Sequence, residues 1–126
     1  MSARILVVDD NPANLDLMLY LLRAFGHEAE GVADGLAAFT AACGGGFTLV
    51  LTDILMPGID GYELVRRLKG DPGLASLPVV AVTAFAMQGD RERIAAAGFD
   101  GYIAKPIEPQ AFVSQIEAYL PRTSPA

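Results

Sequence analysis

Five residues with charged or hydroxyl side chains each stand directly behind a short apolar run. Asp9 and Asp10 follow residues 5–8, Asp53 follows 49–51, Thr83 follows 79–82 and Lys105 follows 102–104. If those runs are parallel strands, all five side chains gather at the carboxyl edge of one sheet, where open α/β folds bind their ligands. Three carboxylates, a hydroxyl and an ammonium in one crevice suit a divalent cation and a phosphoryl group.

Three carboxylates in one place repel, so at neutral pH they share a proton or take up a cation. Oxygen-only ligands favour Mg2+ or Mn2+ over zinc, and no histidine or cysteine adjoins them in the sequence. Asp53, shielded behind an apolar run, is the candidate nucleophile, and its attack on phosphorus gives an acyl phosphate. A metal beside it would offset the charge of the incoming group. Lys105 is expected to pair with Asp53 at rest and with phosphoryl oxygens afterwards, and Thr83 to donate a hydrogen bond to one of them. A cis bond before Pro106 is expected to turn the chain and aim Lys105 inward. Taken singly, each feature has a plainer meaning: a solvated Asp-Asp turn capping a helix, a surface lysine, a threonine ending a strand. Their common position overturns that reading.

Strand-like and helix-period segments alternate five times, the signature of parallel strands joined by helical crossovers. The strands are predicted at residues 4–8, 28–32, 48–52, 79–83 and 101–104, and the helices at 14–25, 35–43, 60–69, 87–97 and 110–120. The fold class is α/β: a five-stranded parallel sheet of order 2-1-3-4-5, flavodoxin-like, with helices on both faces. The second strand carries Glu28 and Glu30 and belongs at an edge. Gly26 and Gly98 are read as helix C-caps and Pro109 as a first-turn proline. Gly44, Gly45 and Gly46 precede the third strand and so form a turn at the edge opposite the acids.

At 126 residues and 52% hydrophobic content, the chain is one domain able to bury a core without staples. We expect the domain at residues 1–121 and a short tail at 122–126. Cys43 is the single cysteine, which excludes an intrachain disulfide and suggests a reducing compartment and a buried thiol. Residues 1–4 lead straight into a strand with no signal-peptide pattern, and no apolar stretch reaches spanning length, so a cytoplasmic location without membrane contact is expected. A formal net charge of −6 disfavours direct nucleic-acid binding and favours a protein partner.

The set Asp9-Asp10-Asn11, Asp53 with Pro57 and Gly61, Thr83-Ala84, and Tyr102 with Lys105-Pro106 resembles the receiver domains of bacterial two-component response regulators. The resemblance spans essentially the whole chain. It implies that Asp53 is the phosphoacceptor, loaded from a phosphohistidine on a sensor histidine kinase or phosphotransfer protein. It further implies that Asp9, Asp10, Asp53 and the Leu55 backbone carbonyl hold the metal, and that Thr83 and Tyr102 form a switch pair acting on the surface of the fourth helix, fifth strand and fifth helix. Residues 79–94 look especially like stand-alone cell-division regulators of the DivK type, and similar stretches occur in receiver modules of hybrid kinases that shuttle phosphate. On this reading the chain is no enzyme in the ordinary sense, although phosphoryl transfer and loss are self-catalysed, and its output is contact with a downstream protein effector.

Leu55 and Phe85 are expected to flank the path of attacking water and to modulate dephosphorylation. On the first helix, Asp16 and Arg23 mark the solvent side, and Leu17, Met18, Leu21 and Phe25 the core. Leu15, Leu19 and Tyr20 are left as an exposed apolar strip where the kinase docks. The fourth helix has only Met87 and Ile94 as large anchors and should be loosely held.

Three other functions compete. An FMN carrier of this fold needs a hydroxyl- and glycine-rich loop after the first strand, whereas Asp9-Asp10-Asn11-Pro12 would repel phosphate. A haloacid-dehalogenase-like Mg2+-dependent phosphatase needs a second acid two residues after the nucleophile, where Leu55 stands. An unphosphorylated interaction module would not need the complete pocket.

Overall fold

The computed structural model describes residues 3–84 and 87–120. Five strands, β1 (Arg4–Val8), β2 (Glu28–Val32), β3 (Leu49–Thr52), β4 (Val79–Thr83) and β5 (Gly101–Ala104), alternate with five helices, α1 (Pro12–Ala24), α2 (Gly35–Cys43), α3 (Gly61–Gly70), α4 (Gln88–Ala97) and α5 (Pro109–Glu117). All strand pairs are parallel, as the alternation predicts, and the order is β2-β1-β3-β4-β5, that of the expected flavodoxin-like sheet. The two glutamates of β2 lie on the sheet's edge strand, in contact with water.

The pleat sends alternate residues to opposite faces, and each face has its own core. Ile5, Val7, Leu49, Leu51, Val80, Val82 and Ile103 pack with Met18, Leu21 and Leu22 of α1 and Phe112, Val113 and Ile116 of α5. On the other face Leu6, Val8, Val50, Val79 and Ala81 pack with Ala38 of α2, Leu64, Val65 and Leu68 of α3, and Ile94 of α4. Continuous apolar strands are what burial on both sides demands.

Helix ends follow local chemistry. The α1 helix starts two residues earlier than the periodicity suggested, because Asn11 is its N-cap, accepting from the Asn14 amide at 3.1 Å, and Pro12 fills the first turn. Asp34 and Asp60 cap α2 and α3 through the amides of Ala37 and Glu63. Gly98 closes α4 in the left-handed conformation at φ 110°. Thr48, predicted in β3, instead lies just before it, its Oγ1 donating to the Arg4 carbonyl at 3.1 Å. Gly45 and Gly46, both at positive φ, turn the chain at the edge away from the acids.

Three predicted burials are corrected. Cys43 ends α2 with its side chain exposed. Phe25 is 63% exposed because α1 stops one residue before it, so the helical face no longer governs its direction. Met87 is 78% exposed as the N-cap residue of α4 rather than an anchor of it.

The sole histidine, His27, is buried at the start of β2. Its Nδ1 accepts from the Ala3 amide at 3.2 Å, which places the proton on Nε2 facing Glu117 at 3.0 Å. It ties the first strand's start to the end of α5, away from the acidic cluster.

Candidate functional site: an acidic cluster at the carboxyl edge of the sheet

Each principal site residue is the first one past its strand, and its backbone amide makes one more rung of the ladder. Asp9 donates to the Val32 carbonyl at 3.2 Å, Asp53 to Val8 at 2.9 Å and Lys105 to Thr83 at 2.8 Å. The register pairs Val8 with Thr52, Thr52 with Ala81 and Thr83 with Ala104, so β4 and β5 reach two residues further at this edge than β1 and β3. Rigid strands therefore fix the side chains that follow them.

Carboxylate oxygens of Asp9, Asp10 and Asp53 lie within 4.8 Å of one another. Their environments differ. Asp9 is fully buried, with Oδ1 accepting from the Asn11 amide at 2.9 Å and Oδ2 facing Lys105 Nζ at 3.0 Å. Asp53 has a side chain 13% exposed, with Oδ1 accepting from the Ile54 amide at 2.8 Å and Oδ2 at 3.1 Å from the same ammonium. Asp10 is open to solvent. Lys105 thus bridges two acids rather than Asp53 alone, and the bond between Lys105 and Pro106 is cis.

Burial is the largest influence on the Asp53 carboxyl and raises it above its ordinary value, helped by the Asp9 charge and opposed by Lys105 and the Ile54 amide. Burial also acts on the Lys105 ammonium, lowering it, but the hydrogen bonds and charges of Asp9 and Asp53 outweigh that and hold it above its ordinary value. One ammonium among three carboxylates leaves a net negative pocket. An all-oxygen donor set of this kind fits a hard divalent cation.

Thr83 is buried at the end of β4. Tyr102 on β5 is half-buried, with the Arg91 guanidinium 5.3 Å over its ring. Leu55 is exposed and lines a cavity of about 230 Å³ with Ile54, Tyr62, Thr83, Asp90 and Arg93. Phe85 lies outside the described residues. Two further contributors carry no role in the sequence reading: Thr52, which it does not single out, and Gly61, which it names only within the motif after Asp53. Thr52 Oγ1 donates to the Asp53 carbonyl at 2.8 Å, and Gly61 packs so closely that a Cβ there would stand 2.6 Å from that carbonyl oxygen. The glycine at the first turn of α3 was the visible signal; what it touches was not.

The predicted docking strip is narrower than expected. Leu15 and Leu19 are half-buried over β2, where a Cβ on Gly31 would meet a methyl of each at 2.9 Å. Tyr20 alone of the three is exposed, at 69%, and flanks a shallow groove with Asp16, Leu19, Arg23 and Ala24.

A five-stranded sheet in this order, with this cluster at its carboxyl edge, is the architecture of receiver domains, and the chain belongs to the response regulator receiver domain family, whose model matches residues 5–117. Within that family the chain is similar to the polar-differentiation response regulator DivK: the proteins of Brucella ovis and Brucella abortus are each 41% identical over 120 residues, covering 95% of this chain and 98% of theirs. Among solved structures, the chemotaxis response regulator CheY4 of Vibrio cholerae superposes with a TM-score of 0.90 at 25% identity, covering 95% of this chain and all of that one. The receiver domain of the sensor histidine kinase PA1611 from Pseudomonas aeruginosa, solved with a magnesium ion coordinated in its active-site cleft, gives 0.86 at 33% identity, covering 94% of this chain and 98% of that one. Members of the family are signalling proteins, and the phosphatase alternative is not favoured. No helix among the described residues is long and apolar enough to cross a membrane.

Proposed function

We propose that the chain accepts a phosphoryl group on Asp53 from a histidine-phosphorylated kinase or phosphotransfer protein and signals to a protein effector from the cytoplasm. The observation that carries this is the convergence of Asp9, Asp10 and Asp53 on one point with Lys105 between two of them. Asp9, Asp10, Asp53 and the Leu55 carbonyl would hold Mg2+ or Mn2+. When bound, the cation offsets the negative charge of the phosphoryl oxygens as they approach.

The protein's own residues do the rest. A carboxylate oxygen of Asp53 forms a bond to phosphorus while the phosphorus–nitrogen bond to the donor imidazole breaks; the electron pair returns to that ring nitrogen, which then takes a proton. Lys105, already 3.1 Å from Asp53 Oδ2, shifts its ammonium from the carboxylate to a phosphoryl oxygen. Thr83 donates to another oxygen, and Tyr102 turns inward behind it, altering the face built from α4, β5 and α5. Phosphorylation shifts this balance only by as much as it favours one of the two arrangements.

Acetyl phosphate and magnesium test the reading. The intact protein is expected to gain the mass of one phosphoryl group, and Asp53→Asn none. A wild-type protein that gains no mass, or a variant that gains as much, would overturn the assignment.

A further inference from the structure

Helix α4 is held unlike its neighbours. Ile94 is its one large buried apolar side chain among the described residues, and no side-chain hydrogen bond closes its N-terminus. Two arginines grip aromatic rings instead. Arg91 Cζ lies 5.3 Å over Tyr102 of β5, and Arg93 Cζ lies 4.9 Å over Tyr62 of α3. Residues two apart project about 200° apart around a helix, so the rings are held on opposite flanks.

The two anchors are not equal. Tyr62 meets buried Phe99 edge to face, centroids 6.0 Å apart, which fixes it to the core. Tyr102, like Tyr62, is half-buried against the core of this face; what Tyr62 adds is the edge contact with Phe99. The cavity lined by Asp90 and Arg93 of α4 opens toward Ile54, Leu55, Tyr62 and Thr83.

We propose that Arg91 is a positioning residue that couples the ring of Tyr102 to α4, with Arg93 on Tyr62 as the fixed pivot. The inference rests on the phosphoacceptor reading of Asp53 and goes beyond it by naming the side chains that carry the change to the helix. At rest, the guanidinium over the ring face holds the β5 flank of α4 by cation–π attraction. When the ring turns inward its face is withdrawn, that flank loosens, and the α3 flank stays held.

Hydrogen exchange of residues 88–97, followed by mass spectrometry with and without acetyl phosphate and magnesium, tests this. In the wild type, phosphorylation is expected to speed exchange roughly two- to fivefold, the equivalent of one exposed cation–π contact. Arg91→Ala should show that faster exchange before phosphorylation and little further gain after it, with Arg91→Lys intermediate. Arg93→Ala should raise exchange in both states and keep the increment. Phenylalanine and its mono-, di- and trifluorinated forms at position 102 keep the ring's shape while weakening its face, so resting exchange should rise in graded order. Unchanged resting exchange in Arg91→Ala, an undiminished increment, or a flat fluorination series would overturn the coupling while the phosphoryl mass gain upholds the site. A protein that gains no mass fails at Asp53 itself, and the coupling to phosphorylation falls with it.

Discussion

Lys105 Nζ stands 3.1 Å from Asp53 Oδ2, across 52 positions of sequence, and the same ammonium lies 3.0 Å from the fully buried Asp9. The resting pocket is therefore partly neutralised by the protein's own cation. A divalent ion entering it meets carboxylates already engaged.

Removing that ammonium should have opposite effects with and without metal. Lys105→Met leaves Asp9 buried with no opposing charge and is expected to cost about 2 kcal/mol in metal-free urea unfolding, less than a fully buried pair because Lys105 keeps some exposure. Magnesium should then bind about threefold or more tightly, since one repelling charge has gone. Calorimetric titration showing weaker binding would contradict this.

Stability should depend on pH through Asp53. Burial raises its carboxyl above 3.8, so the folded chain holds that proton more tightly than the unfolded one. In the window from 3.8 up to the folded value, stability falls as pH rises, and at neutral pH the charged carboxylate costs stability. Asp53→Asn should remove that slope and raise the metal-free melting temperature at pH 7 by a few degrees. Lys105, held above 10.5 by Asp9 and Asp53 despite its burial, contributes in full below 10.5 and loses its contribution as pH climbs through its folded value. Melting curves of both proteins across pH, without metal, compare the two slopes.

The floor beneath Asp53 is steric. A Cβ at Gly61 would come within 2.6 Å of the Asp53 carbonyl oxygen and 2.8 Å of the Ile54 Cα, both backbone atoms that cannot rotate away. Gly61→Ala is expected to destabilise by about 1–3 kcal/mol despite alanine's better helix propensity. It should also weaken magnesium binding by displacing Asp53. Retention of wild-type affinity would show that the loop absorbs the added methyl elsewhere.

Donor docking on α1 should centre on Tyr20. Being exposed, it tolerates Tyr20→Asp with a stability change within about 0.5 kcal/mol. Transfer from a histidine-phosphorylated protein should slow roughly tenfold, as for the loss of an aromatic interface anchor, while labelling by acetyl phosphate stays unchanged. Equal slowing with both donors would place the defect in the pocket rather than at the surface.

The differences between sequence expectation and structure have three causes. Periodicity assigns a face to a residue only while the helix lasts, and Phe25 and Met87 stand just outside α1 and α4. Cys43 was placed by residue type alone, although α2 ends there with its side chain in solvent. Leu15 and Leu19 looked exposed because a helical wheel cannot show that Gly31 of β2 leaves room for both.

By itself the sequence determined the parallel sheet, the edge strand and the gathering of Asp9, Asp10, Asp53, Thr83 and Lys105, because apolar runs of strand length must be buried in parallel and whatever follows them emerges at one edge. Only the tertiary structure decided which acids share the ammonium, that Asp9 is buried while Asp10 is open, and that Arg91 and Arg93 grip different tyrosines. Those are distances between side chains on different elements, set by how layers pack, and local pattern carries no information about them.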